Sequence, residues 1–349
     1  MGMKKCGVLF GLLMVLCVTY AGCSRRNEDI LNTNVAVRKV QIGLSFDSYV
    51  IERWQRDREV FVSTAQDLGA EVNVQNANGD VKEQISQLEY LIDKKMDVIV
   101  VIAIDSEACS EVLKKAKEAG IIVVSYDRLV RNANTDLYIS FDNEEVGRLM
   151  AQALVDGVPD GGNIITIFGP TTDHNVALVE KGFHSVMEGH AINTVYSVYA
   201  KGWLAEEAYA AVNEALAITG DIDGVLCGND NLATQAVLAL SENRLAGKVI
   251  VTGQDADLAA CQRIVEGTQT MTVYKPVDKL AKAAAEYAVK LAKGEDIGET
   301  ETIDDGTNEV PYIKLEPIAV TGENMRKEII EGGFQKEEEV YMNVTAQEE

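Results

Sequence analysis

Two eight-residue runs, DVIVVIAI (97–104) and GIIVVSYD (120–127), are almost unbroken in aliphatic, mostly β-branched side chains. A strand with one face in water alternates apolar and polar residues, whereas a strand apolar on both sides needs cover on both faces. That cover is normally a layer of helices on each side of a parallel sheet. The two runs therefore direct the chain towards an α/β architecture with central parallel strands.

The rest of the chain keeps the rhythm this requires. From Lys39 onward, strand signals at 40–44, 71–75, 98–104 and 121–125 alternate with helix signals at 49–68, 81–95 and 106–119, the last closed by Gly120. In helix 49–68, Ile51, Trp54, Val60, Phe61, Ala65 and Leu68 recur at the spacing of a core-facing stripe. After a strand at 138–142 the alternation restarts. Helix 144–155, strand 163–168, helix 175–187, strand 194–199, helix 205–218, strand 224–227 and helix 232–241 follow, and the unit 249–276 joins them by adjacency. The expected fold class is α/β, with two doubly wound parallel-sheet lobes, and 349 residues suffice for two domains of ordinary size.

Ligands of such sheets bind outside the carboxyl ends of the strands, so the residues just after each strand are the candidates for chemistry. The unit 249–276 is the clearest case. Its first strand stops at Gly253-Gln254-Asp255-Ala256-Asp257; Leu258, Cys261, Ile264 and Val265 follow at helical spacing, and Gly267 ends the helix. The alternating segment 271–274 then runs into Lys275-Pro276. One βαβ unit could thus present a carboxylate and an ammonium to one crevice, although on the local pattern alone Asp255 reads better as a helix N-cap and Lys275 as a solvated charge. Asp127-Arg128, Asp173 with Asn175, and Asn229 stand at equivalent strand ends. The only two tryptophans do too: Trp54 also fits a helix core, whereas Trp203 is flanked by Gly202 and polar residues, which favours a ligand role.

Composition narrows the partners. The formal charge is −23, and loss of Lys4 and Lys5 with an N-terminal leader makes it −25, which argues against nucleic acid. That leader has a basic start, an apolar run over 7–20 and Ala21-Gly22-Cys23. It resembles the bacterial lipoprotein signal, with Cys23 as the lipidated first mature residue, an ordinary signal peptide being the alternative. Residues 24–38 read as a tether. Cys109, Cys227 and Cys261 then remain, an odd number in apolar contexts, so no disulfide framework is expected.

The segments IERWQRDREVFV, SYDRLV, YISFDNE, TTDHN, KGW, GNDN, TGQDADLA and GTQTMTVYKP resemble the periplasmic sugar-binding proteins of ABC transporters, in particular their D-xylose-binding branch. The likeness runs from about residue 39 to 336, is loose over 186–202, and has His174 where asparagine is common. The resemblance implies a type I periplasmic-binding fold with a three-stranded hinge near 140–143, 274–277 and 310–314. It implies one lobe of 39–140 plus 277–310 and another of 141–276 plus 311–349. Arg53, Asp127, Arg128, Asp173, Asn175, Asn229, Asp255 and Lys275 would bond sugar hydroxyls, and Trp54 and Trp203 would be the stacking faces. It further implies a monomer that captures a monosaccharide, D-xylose or a related aldose, and hands it to an ABC permease or reports it to a chemoreceptor. Only the lipid anchor would touch the membrane.

Other classes lack their signatures. A sugar-responsive transcription regulator needs a helix-turn-helix before the first strand, where this chain has a leader. A sugar-modifying enzyme needs a cofactor fingerprint or a general acid/base pair; no P-loop, GxGxxG or nucleophile elbow appears, while two carboxylates among the candidate residues keep the enzyme alternative open. The run Asn76 to Asp80 has calcium-loop spacing, but Val81 and Gln87 stand where the turn glycine and bidentate glutamate belong, so Asp80 reads as a helix cap. No cofactor and no metal are expected.

Overall fold

The computed structural model describes residues 38–344. The leader, Cys23 and the tether up to residue 37 lie outside the described residues.

The first half of the described chain forms β1 (Gln41–Phe46), β2 (Glu71–Asn76), β3 (Val98–Val101), β4 (Ile122–Tyr126) and β5 (Leu137–Phe141). The second half forms β6 (Gly162–Phe168), β7 (Ile192–Tyr199), β8 (Gly224–Cys227), β9 (Ile250–Gln254) and β10 (Met271–Tyr274), and three late strands follow: β11 (Glu301–Asp304), β12 (Glu309–Leu315) and β13 (Ile318–Val320). They assemble into two sheets, in the orders β11-β12-β5-β4-β3-β1-β2 and β13-β10-β9-β8-β6-β7. Without the late strands each half has the doubly wound order 2-1-3-4-5, so the second lobe repeats the topology of the first. Only β11 and β13, at the edges, run antiparallel to their neighbours.

The helices are α1 (Arg53–Asp67), α2 (Val81–Asp93) and α3 (Ser110–Glu118) in the first lobe, followed by α4 (Asn143–Gly157), α5 (His174–Met187), α6 (Glu206–Thr219), α7 (Asp230–Glu242) and α8 (Leu258–Glu266). The last long helix, α9 (Val277–Ala292), returns to pack on α1 and the first sheet. β3 and β4 are buried from Val98 to Val101 and from Val123 to Tyr126, the double cover their composition calls for.

Local chemistry moves several boundaries. β3 stops at Val101 rather than 104 because the N–H of Ile104 donates to the Gln84 side chain, and α3 starts at Ser110 rather than 106 because Asp105 takes the N–H groups of Glu107 and Ala108 into a turn. Leu68 is not part of the core stripe: it caps α1 and is 42% exposed. Val60 is only half-buried, whereas Ile51, Trp54, Phe61 and Ala65 are core. Asp80 caps α2 as expected, accepting from the N–H groups of Lys82 and Glu83.

The chain crosses between the sheets three times, after β5, after β10 and after β12. β12 stays in the first sheet up to Leu315, five residues beyond 310, because Tyr312 stacks on Tyr138 and donates its hydroxyl to the Phe141 carbonyl.

Candidate functional site

The carboxyl ends of both sheets face one cavity that mixes apolar and polar side chains, the composition usual for small-molecule sites. Arg53, Trp54, Asp127, Arg128, Asp173, Asn175, Trp203, Asn229, Asp255 and Lys275 all line it. All are buried, so a guest here exchanges water for protein on nearly every side.

Three of these residues sit in the left-handed backbone region: Asp127 (φ 62°), Trp203 (φ 60°) and Asp255 (φ 101°). A bulky side chain there costs on the order of 1–3 kcal/mol and persists only where its surroundings over-determine it. The N–H of Asp127 donates to Ile139 O at 2.8 Å, and that of Asp255 to Val273 O at 2.9 Å. These bonds from neighbouring strands turn each carboxylate off its strand and into the gap.

The polar wall is a chain of buried ion pairs. Arg53 forks onto Asp57 (2.9 and 3.1 Å), pairs with Asp127 at 2.9 Å and stands 4.0 Å from Asp255, which pairs with Lys275 at 2.8 Å. Arg128 bridges Asp47 (2.5 Å) in the first lobe and Asp173 (2.7 Å) in the second. Tyr126 donates its hydroxyl to Asp57 behind Arg53. Burial works against ionised Asp127, but Arg53, Lys275 and Arg128 outweigh it and hold its carboxyl below the usual range. Burial prevails at Asp173 and Asp57, whose carboxyls are pushed up despite their arginines. The carboxylates of Asp47, Asp57, Asp127, Asp173 and Asp255 outnumber the cations Arg53, Arg128 and Lys275, which disfavours an anionic guest. Carboxylate oxygens in such a wall suit the hydroxyls of a neutral polyol.

Two indoles complete the enclosure. Trp54 lies beneath the guanidinium groups of Arg53 (4.5 Å) and Arg128 (5.6 Å), which fix its plane. The ring of Trp203 lies against Gly169, where an added Cβ would stand 2.3 Å from the ring, so glycine there makes room for the indole. Ile51, Phe168, Val176 and Val179 give the cavity an apolar section. The indole N–H groups of Trp54 and Trp203 and Oε1 of Gln254 are buried without a hydrogen-bond partner in the protein. Such groups are costly unless a guest satisfies them.

The structure also resolves the local alternatives. The cap position of α8 is Asp257, so Asp255 is free of that duty. Trp54 is both core and cavity wall. Asp173 and Asn229 do two jobs, lining the cavity while capping α5 and α7 through the N–H groups of Asn175 and Leu232. Asn175 reaches across the lobes, donating to the carbonyl of Asp127 and accepting from Tyr138. Sequence reasoning missed Asn143 and Gln254, which line the cavity, and Asp47 and Asp57, which brace its arginines. The spacing of Arg53 and Asp57 on one helix face was a usable signal.

Residues 42–296 match the family model described as the periplasmic binding protein domain. The chain is 44% identical over 317 residues to the D-xylose-binding periplasmic protein of Haemophilus influenzae, covering 89% of this chain and 95% of that protein. Its likeness to the D-xylose-binding periplasmic protein of Escherichia coli K12 is also 44%, over 318 residues, with 89% and 96% covered. Among solved structures, an ABC transporter solute binding protein from Clostridium phytofermentans with bound β-D-glucose superposes with a TM-score of 0.79 at 27% identity, over 86% of this chain and 99% of that one.

Proposed function

Because the chain belongs to the periplasmic sugar-binding proteins of ABC transporters, we propose that it captures D-xylose between its lobes and delivers it to a membrane permease. Proteins of this family and fold bind their substrates and are not enzymes. The observation that carries the reading is the cavity itself: two indoles, a wall of paired charges, and three buried polar groups of lining residues left without protein partners. A pyranose offers C–H faces to the indoles and hydroxyls to the wall.

The apolar section of Ile51, Phe168, Val176 and Val179 supports a pentose. A hexose carries an additional hydroxymethyl group, whose hydroxyl loses its hydrogen bonds if it is buried against such a surface. In this reading the ten lining residues named above contact the sugar or hold those that do. The lobes, 39–141 plus 277–315 and 142–276 plus 316–344, rotate about the three crossings, and the closed form is the one a permease recognises. Cys23 carries the lipid that keeps the protein, as a monomer, at the membrane face.

A thermal-shift panel of D-xylose, L-arabinose, D-ribose, D-glucose and D-galactose tests the assignment, since a ligand raises apparent stability by mass action. D-xylose is expected to give the largest shift. A larger shift with either hexose would overturn the pentose assignment.

A further inference from the structure

Helix α1 brings Arg53 into the cavity and, one turn later, carries Arg56 outside it. Arg56 forks onto Asp278, in the first turn of α9, with both contacts at 2.6 Å. Its remaining donors reach the carbonyls of Phe334 (3.0 Å) and Gly333 (3.3 Å), and its guanidinium lies 4.9 Å over the Phe334 ring.

These partners belong to different lobes. α1 and α9 pack together on the first sheet. Phe334 packs on Tyr274 at 4.7 Å and shares a core cluster with Ala256, Met325 and Ile329, and Gln335 donates to the carbonyl of Ala256, so 333–335 is tied to the second lobe. Arg56 therefore spans the lobes, and neither it nor Asp278, Gly333 or Phe334 is among the residues that line the cavity. On the same turn, Glu52 faces the backbone N–H of Leu258 at the start of α8, a helix whose own cap residue, Asp257, makes no side-chain cap bond.

We infer that Arg56 is a latch: by holding 333–334 against α1 and α9 it favours the closed arrangement and sets how long a sugar is retained. The inference rests on the sugar-binding reading above. A contact made only when the lobes are together raises the closed fraction, and apparent affinity scales with that fraction whatever the sugar. Arginine suits the task because a planar fork can hold a carboxylate on one edge and carbonyls on the other, which an ammonium cannot.

Stopped-flow kinetics on the parent, Arg56→Ala, Arg56→Lys and Phe334→Leu test it, using whichever sugar gives the parent its largest thermal shift in the five-sugar panel. Arg56→Ala should raise the dissociation rate about tenfold, leave the association rate near the parent's and preserve the rank order of sugars. Arg56→Lys and Phe334→Leu should fall between the two. A dissociation rate for Arg56→Ala and Arg56→Lys within about twofold of the parent's overturns the latch, and a loss confined to the thermal stability of the sugar-free protein makes Arg56 a brace between α1 and α9 instead. A panel won by another sugar displaces the D-xylose assignment but leaves this comparison intact.

Discussion

Lys275 Nζ lies 2.8 Å from Asp255 Oδ1, and the two side chains leave the carboxyl ends of neighbouring parallel strands, β10 and β9. The register pairs Val273 with Gln254, so residues twenty apart in the chain become a fixed ion pair. Arg53 of the other lobe stands 4.0 Å from the same carboxylate oxygen. A carboxylate oriented by cations of both lobes is held ready for a hydroxyl at little further cost in ordering.

Closure of the lobes should be visible as a change of shape. Saturating D-xylose is expected to lower the radius of gyration in solution scattering, since the described chain passes between the two lobes at just the three crossings. Identical curves with and without sugar would contradict a hinge.

Gly169→Ala tests how Trp203 is seated. The new Cβ would stand 2.3 Å from the indole, and overpacking of this kind typically costs about 1–3 kcal/mol. The variant should fold, show altered tryptophan fluorescence and bind sugar at least about tenfold more weakly. Parent-like calorimetric affinity would mean that the ring is not a wall of the binding site.

Asp230 supplies a pH signature. Burial pushes its carboxyl up to about 7, against hydrogen bonds from Thr272 and Gln269, and Asp257 beside it is raised as well. A carboxyl with a raised folded-state value imposes no ionisation penalty below its unfolded value, roughly 4, and imposes it fully above its folded value. Folding stability should therefore fall as pH rises from about 5 to about 8, lowering Tm by roughly 3 °C or more. The depressed carboxyl of Asp127 acts oppositely, stabilising the fold above its unfolded value and losing that contribution in acid. Asp230→Asn should flatten the alkaline decline; a variant with the parent's slope would remove Asp230 as its source.

Asp80→Ala is the control outside the site. Loss of the α2 cap should cost about 1 kcal/mol of stability in denaturant titration and leave sugar affinity unchanged.

The placement of the site was legible because apolar runs mark strands, and in a parallel sheet the residue after each run marks the ligand edge. That rule marks Asp127, Asn229, Asp255 and Lys275 as candidates, and the resemblance to the sugar-binding family was needed to choose a ligand role over a helix cap for Asp255 and a solvated charge for Lys275. What was not legible depends on contacts distant in sequence. The link from Tyr126 through Asp57 to Arg53 needs α1 brought within reach of the Tyr126 side chain, and the crossing after Leu315 depends on Tyr312 meeting Tyr138. The shifted start of α3 turns on one side chain, Asp105, competing for backbone N–H groups. Arg56 reads on its own as a solvated helix charge, and only the return of 333–334 to α1 gives it partners.

The central claim is tested most directly by titration calorimetry of D-xylose into the parent, Asp255→Ala and Trp203→Ala. A carboxylate bonded to sugar hydroxyls is worth roughly 1.5–3 kcal/mol per bond, and an aromatic wall at a binding centre about 2 kcal/mol or more. The parent should bind one equivalent, Asp255→Ala at least about a hundredfold more weakly, and Trp203→Ala with a comparable loss. Parent-like binding of D-xylose by both variants would place the sugar somewhere other than this cavity.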